Sequence, residues 1–283
     1  MTTPAAALSD HVVILNINEK AGRIIDEIAL GSADKPPDIA LLVQDERLWR
    51  SHPDWHPNPD VRFRMDTVAG CPAEAASLER VWIDRARAAV ILADPRRRPL
   101  ADAHSTLVAM AVERRAPHVH TVMELIASVN RIHLRSTEVN EVVCLGELTE
   151  MLVAQSCIAP GIARVYASLL RAHPDTAQVF LCDLPPVSEP VTYRQLVRRI
   201  IEARAPVVVC GFVRDTHSSD TGPGTPRRTL VLNPRSSSEP GKDTVLENGD
   251  RLVVIAYRRP DPATWGIASA ATEADRAATF IRR

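Results

Sequence analysis

Short β-branched runs separated by stretches of helical spacing fill the first half of the chain, and that alternation leaves few folds open to it. The runs fall at His11–Asn16, Ile39–Val43, Val61–Arg64, Ala88–Ala93, Val119–Met123 and Glu141–Cys144. Strands that alternate with helices form a parallel sheet with crossover helices on its faces. The expected fold class is therefore α/β, a Rossmann-like doubly wound parallel sheet over residues 10–145. Segment 46–60 interrupts the rhythm. It carries Trp49, Trp55 and three prolines, and it reads as an elaborated surface loop whose tryptophans cover the sheet edge or meet another subunit.

After Leu145 the pattern changes. Glu147–Cys157 and Gly161–Arg171 have helical spacing and are split by Ala159-Pro160-Gly161, where proline and glycine end one helix and turn into the next. Apolar positions such as Leu148, Met151, Ile162, Val165, Leu169 and Leu170 predict a helix-hairpin crossover over residues 146–173 with a broad apolar face. Such a face completes a core, makes an interface, or does both. Residues 174–258 predict a smaller α+β C-terminal lobe with strands at Gln178–Cys182, Val207–Phe212, Thr229–Leu232 and Arg251–Ala256, and a helix at Tyr193–Ala203. A Gly/Ser/Pro-rich insert at Asp215–Arg228 reads as a mobile hairpin loop. The polar, Ala-rich tail 259–283 predicts a loosely packed helix.

Composition removes several function classes. A chain of 283 residues is long enough for two lobes with separate cores. Its net charge of -1 gives no general electrostatic case for nucleic acid or an anionic membrane. The Arg96–Arg98 and Arg227-Arg228 clusters read as solvated loops, with local phosphate contact as the alternative. The five cysteines are scattered without a C-x-x-C pair, which argues against a disulfide framework and a zinc site. The longest apolar stretches fall far short of the roughly 18 residues that span a bilayer, and the N-terminus lacks a charged signal region.

The turn after the first run has the strand-turn-helix build of a dinucleotide site without its glycines. Aligned on G-x-G-x-x-G, the glycine places fall on Asn16, Asn18 and Ala21. Side chains there crowd a pyrophosphate but leave the N-terminus of the Glu19–Leu30 helix, which attracts anions. Glu19 in the first turn opposes a phosphate. In the bland alternative the asparagines only shape the turn, since asparagine tolerates left-handed backbone.

Several further segments, in order, carry a family resemblance. They are Ile83-x-x-Ala86-x-Ala88-Ala89-Val90-Ile91-Leu92-Ala93-Asp94, Val122-Met123-Glu124 with Asn130, Asn140-Glu-Val-Val143, Glu147-Leu-Thr through Pro160-Gly161, Leu232-Asn-Pro234, and Glu247-Asn-Gly-Asp250-Arg-Leu-Val-Val-Ile-Ala256. Together with the first strand and turn they resemble the RCK (TrkA-N/TrkA-C type) regulatory domain of potassium channels and transporters, across residues 10 to 257. The resemblance implies a cytoplasmic, non-enzymatic gating domain at the inner face of the cell membrane, partnered with a separate or fused pore. It also implies self-association through the hairpin to a dimer and through the N-lobe to rings, including an octameric ring, with no nucleic-acid partner.

The resemblance implies an adenine nucleotide or NAD as ligand, bound around Asn16, Asn18, Gln44, Asp45, Gly70 and Asp94. In nucleotide-binding members an acidic residue ending the second strand holds the ribose hydroxyls; this chain has Gln44 there, with Asp45 next. Calcium is a second implied ligand, through Asp94 and Glu124 at neighbouring strand ends. Two carboxylates alone make a poor calcium site. The alternative has Asp94 capping the next segment and Glu124 pairing with an arginine. His104 and His133 read as ordinary half-buried or surface histidines. A soluble Rossmann-fold oxidoreductase is the competing function, but no Ser/His/Asp, Cys/His or Tyr-x-x-x-Lys constellation supports it.

Overall fold

A computed structural model describes residues 7–32, 35–97, 99–173, 175–184, 190–216, 227–237 and 240–265. Contacts divide the chain into two compact units, Met1–Arg164 and Val165–Arg283. The first runs β1 (Val12–Leu15), α1 (Ala21–Gly31), β2 (Ile39–Val43), α2 (Glu46–Ser51), β3 (Met65–Ala69), α3 (Ala75–Arg80), β4 (Ala88–Ile91), α4 (Ala101–Arg115), β5 (His120–Leu125), β6 (Glu141–Cys144) and α5 (Leu145–Ile158). Its strands lie in the order β3-β2-β1-β4-β5-β6 and all neighbours are parallel. The order reverses between β1 and β4, which opens a crevice beyond the C-terminal strand ends.

The central strands of this sheet are covered on both faces, so β1, β2 and β4 are apolar throughout. Successive side chains alternate sides. Val12 and Ile14 join Ile39, Leu41 and Val43 beneath Ala21 and Ile25 of α1. Val13 and Leu15 join Ala40 and Leu42 on the other side, against Leu78 of α3 and Val108 and Val112 of α4.

The third strand begins later than the sequence suggests. Val61–Arg64 alternates as well as a strand does, but the ladder to β2 runs from Ile39↔Met65 to Val43↔Ala69. Ile39 N–H donates to Arg64 O at 2.8 Å, and pairing proceeds from there. Register with the central strands, which local alternation does not encode, fixes the position.

Segment 46–60 is also more ordered than a surface loop. It forms α2 and a 3-10 turn at Pro53–Trp55. Trp49 is buried in the α1-side core and Trp55 packs against that core. The Trp49 and His56 rings stack with centroids 4.2 Å apart, and Asn58 N–H donates to the Asp26 carboxylate of α1 at 2.9 Å. This closeness depends on Gly22. A Cβ there would run into the carbonyl groups of Trp55 and His56.

α6 (Ile162–Leu170) straddles the boundary between units. The second unit continues with β7 (Gln178–Asp183), β8 (Val191–Thr192), α7 (Tyr193–Glu202), β9 (Val208–Thr216), β10 (Arg227–Leu232), β11 (Val245–Leu246) and β12 (Arg251–Ala256). An antiparallel sheet in the order β10-β9-β12-β7 forms its base. Thr192 and Gln195 close a capping box at the start of α7. Tyr193, Leu196 and Ile200 of that helix pack on Phe212, Leu252, Val254 and Trp265. The expected hairpin loop at 215–228 is flanked by the β9–β10 pair, but its residues 217–226 lie outside the described residues. Of the tail 259–283, where a helix is expected, the described part forms a 3-10 turn at Pro262–Trp265, and residues 266–283 also lie outside. Among the described residues no helix is long and apolar enough to cross a membrane.

Replacing Gly22 by alanine forces the Trp55–His56 backbone away from α1. We expect a loss of about 1–3 kcal/mol, the usual range for overpacking, read as a lower urea midpoint at unchanged slope; an unchanged midpoint would mean that segment 46–60 yields freely.

Candidate functional site

The C-terminal strand ends place two polar clusters in the crevice. The first gathers around Glu124, the penultimate residue of β5. Its Oε2 accepts from Asn18 Nδ2 at 2.9 Å and from Ala93 N–H at 3.0 Å, and its Oε1 accepts from Lys20 Nζ at 2.6 Å. Asn18 Nδ2 also donates to Ala93 O at 3.1 Å, while Asn18 Oδ1 accepts from Lys20 N–H at 3.0 Å. The turn is thus sewn to the ends of β4 and β5. Asn16 bends it, with a left-handed φ of 66° and Nδ2 donating to Leu92 O at 3.0 Å.

These bonds decide what the turn offers an anion. α1 begins after Lys20, so Glu19 precedes the helix and no acidic residue occupies its first turn, contrary to the sequence expectation. One amide at the helix entrance, Lys20 N–H, is already taken by the Asn18 side chain. Glu124 pairs with Lys20, not with an arginine. A cleft of about 300 Å³ opens beside them, lined by Asn18, Glu19, Lys20, Ala93, Glu124, Leu125, Ile126, Leu145 and Gly146.

The second cluster lies beyond β2. Asp94 is buried and held by the first two of the arginines that follow it: Arg96 Nε donates to Oδ1 at 2.9 Å and Arg96 Nη2 to Oδ2 at 3.0 Å, while Arg97 Nε lies 3.3 Å from Oδ2. Asp94 also accepts from Arg96 N–H at 3.1 Å, the local capping bond that the sequence allowed. Burial pushes its carboxyl up, but the hydrogen bonds and charge of Arg96, with Arg97 behind it, prevail and hold it below the usual carboxylate range.

Arg97 reaches on to Gln44, donating from Nη2 to Oε1 at 2.9 Å. A guanidinium only donates, so this contact fixes the amide orientation and turns Gln44 Nε2 toward His104 Nε2, 3.2 Å away. His104 must then be neutral, with its proton on Nδ1. That atom is buried without a hydrogen-bond partner. Burial lowers the His104 pKa and the Arg97 charge lowers it further. Cys71 Sγ lies 3.9 Å from Gln44 Nε2.

The candidate residues therefore have distinct places. Asn16 and Asn18 hold the turn. Gln44 joins Arg97 and His104. Asp45 faces its own helix, its Oδ1 capping α2 through Arg47 N–H at 2.9 Å and Leu48 N–H at 3.2 Å. At Gly70 a Cβ would lie 2.6 Å from Ser77 Oγ, so the glycine serves the approach of α3. Asp94 and Glu124 are held by different cations of the chain, and no cluster of three or more His, Cys, Asp or Glu side chains suited to a metal occurs among the described residues. Lys20, Arg97 and His104 are additions from the structure. Their contacts span more than fifty residues of sequence, and only the adjacency of Arg96-Arg97 to Asp94 hinted at any of them.

Comparison with known proteins fits this architecture. No family model matches the chain. It is 22% identical over 254 residues to a probable ion channel of Pisum sativum, SYM8, covering 87% of this chain and 26% of that protein. It is 25% identical over 162 residues to potassium channel subfamily U member 1 of Rattus norvegicus, covering 54% of this chain and 13% of that one. The chain thus spans about a quarter of the length of the plant channels it matches. Among solved structures, the human SLO3 gating ring aligns with a TM-score of 0.56 at 14% identity, covering 90% of this chain and 45% of that chain. The chain shares the fold of that gating ring, with an α/β lobe followed by a small α+β lobe.

Asn18→Ala should lower stability by roughly 2 kcal/mol, because it strips Glu124 of a buried donor and leaves Lys20 N–H unmet. Denaturant titration checks this, and a change below a few tenths would mean that water replaces the amide at no cost. His104 gives a pH signature. Its folded pKa lies below the ordinary histidine value of about 6.5, so unfolding takes up a proton and stability is lost as pH falls from about 7 toward 5. The Asp94 contribution, from a depressed pKa, disappears only in the acid range below that. His104→Asn should flatten the slope of stability between pH 7 and 5; an unchanged slope would assign it to other groups, such as the buried His11.

Proposed function

We propose that this chain is a regulatory gating module of a potassium-channel type protein. In this reading it lies on the cytosolic side of the membrane, assembles with copies of itself, and transmits a change of assembly shape to a pore. The RCK-type fold and the channel relatives support the class. The observation that carries the assembly step is the state of α5 and α6. Neither helix has a buried residue, and Leu148, Met151, Ile158, Val165, Tyr166 and Leu170 are all exposed. Apolar helices of this length stay folded in water chiefly by packing on something. A second copy supplies that packing across a twofold axis.

The ligand in this reading is an adenine nucleotide in the crevice at the β1/β4 reversal, above the N-terminus of α1. Binding alone does not gate. A ligand shifts the assembly only by the difference in its affinity for two shapes, and a ring of modules adds those differences. The crevice is suited to report a shape change because the turn, β4 and β5 are tied by Asn18 and Glu124.

Met151 and Leu170 are 55% and 80% exposed in the single chain, so charges there should leave each unit folded. Met151→Glu with Leu170→Glu should convert the wild-type dimer or larger species to monomer in light scattering, at unchanged circular dichroism. A wild type that stays monomeric at high micromolar concentration would remove the assembly step.

A further inference from the structure

We propose that the crevice selects a nucleotide carrying a phosphate on its ribose hydroxyls, and that Arg97 and Gln44 are the residues that read it. This inference rests on the nucleotide part of the reading above. In doubly wound folds the residue ending β2 meets the ribose of the adenosine half. A carboxylate there accepts from two free hydroxyls and repels a phosphate, whereas a neutral residue beside an arginine accepts the phosphate. This chain has the second arrangement. Gln44 follows the last residue of β2, and Arg97 Nη2 donates to its Oε1 at 2.9 Å.

The neighbouring acid does not restore a ribose acceptor. Asp45 is committed to capping α2, and its other oxygen lies 3.9 Å from Arg96 Nη1. Asp94 supplies the framework instead. It clamps Arg96 through two bonds and holds Arg97 Nε, which fixes both guanidiniums at the strand end while Arg97 remains 42% exposed at its side chain. A fixed guanidinium fork matches phosphate oxygens better than a free lysine does. His104 backs this arrangement: it is 9% exposed, and its Nε2 lies 3.2 Å from Gln44 Nε2, which keeps the amide oxygen turned toward Arg97.

The test is calorimetry on the full chain with 2′,5′-ADP, 5′-ADP and inorganic phosphate, repeated on Arg97→Ala and Gln44→Asp, each checked for folding by circular dichroism. We expect 2′,5′-ADP to bind about tenfold more tightly than 5′-ADP, the ratio that 1.4 kcal/mol represents. Arg97→Ala should bring the ratio close to one, and Gln44→Asp should reverse it. Equal affinity of the wild type for the two diphosphates overturns the phosphate selectivity and leaves the nucleotide reading standing. Binding of inorganic phosphate as tightly as 2′,5′-ADP overturns the nucleoside part and leaves a simple anion site. If neither diphosphate binds at millimolar concentration, both the selectivity and the nucleotide reading fail, while the assembly of α5 and α6 is judged separately by light scattering.

Discussion

A carboxylate buried at the end of β5 cannot stay charged without several donors around it. Glu124 obtains them from three places: the Asn18 side chain, the Ala93 amide and the Lys20 ammonium. Each donor belongs to a different structural feature, namely the turn after β1, the end of β4 and the residue that starts α1. The shape of the crevice follows from meeting that one demand. Moving any of the three leaves a charge or an amide buried and unmet, at the steep cost typical of half-satisfied polar networks.

The same network explains why the turn dispenses with glycines. A glycine-rich turn leaves its amides and the helix entrance open to a pyrophosphate. Here asparagine side chains take some of those bonds internally. Asn18 meets the Lys20 amide, and Asn16 accepts the left-handed conformation that a glycine ordinarily takes. The turn gains order and gives up part of its appetite for phosphate. In the proposed reading, selectivity falls to groups at the rim, which is where the chain carries Arg96, Arg97 and Gln44.

The doubly wound sheet was legible in the sequence because burial on both faces writes itself as continuous apolar runs, and the strands at Ile39–Val43 and Ala88–Ile91 sit where those runs are. The third strand was not, since Val61–Arg64 and Met65–Ala69 alternate equally well and only pairing with β2 separates them. Site residues were legible where the bond is local, as for Asp94 with Arg96. They were hidden where the fold brings distant segments together. Nothing near His104 announces Gln44, and nothing near Lys20 announces Glu124. Asp45 shows the opposite case: its position beside the ribose place suggested a ligand, and the start of α2 immediately after it engages one of its oxygens.

Coupling between crevice and assembly has a physical route within the first unit. The cleft beside Lys20 and Glu124 is also lined by Leu145 and Gly146, the first residues of α5. Gly146 lies close to Ile126, since a Cβ added there would lie 3.5 Å from Ile126 O, and Cys144 Sγ donates to the same carbonyl at 3.8 Å. The end of β5 therefore touches both the Glu124 network and the base of the exposed helix. In the proposed reading, a ligand that draws Lys20 away from Glu124 changes the electrostatics next to the α5 N-terminus, whose partial positive charge favours a carboxylate nearby. α5 has no buried residue, so in this reading it is the element whose direction a small change at its base shifts. The assembly proposed for that helix would register the change as a different relation between subunits, which is the difference in binding energy that gating requires.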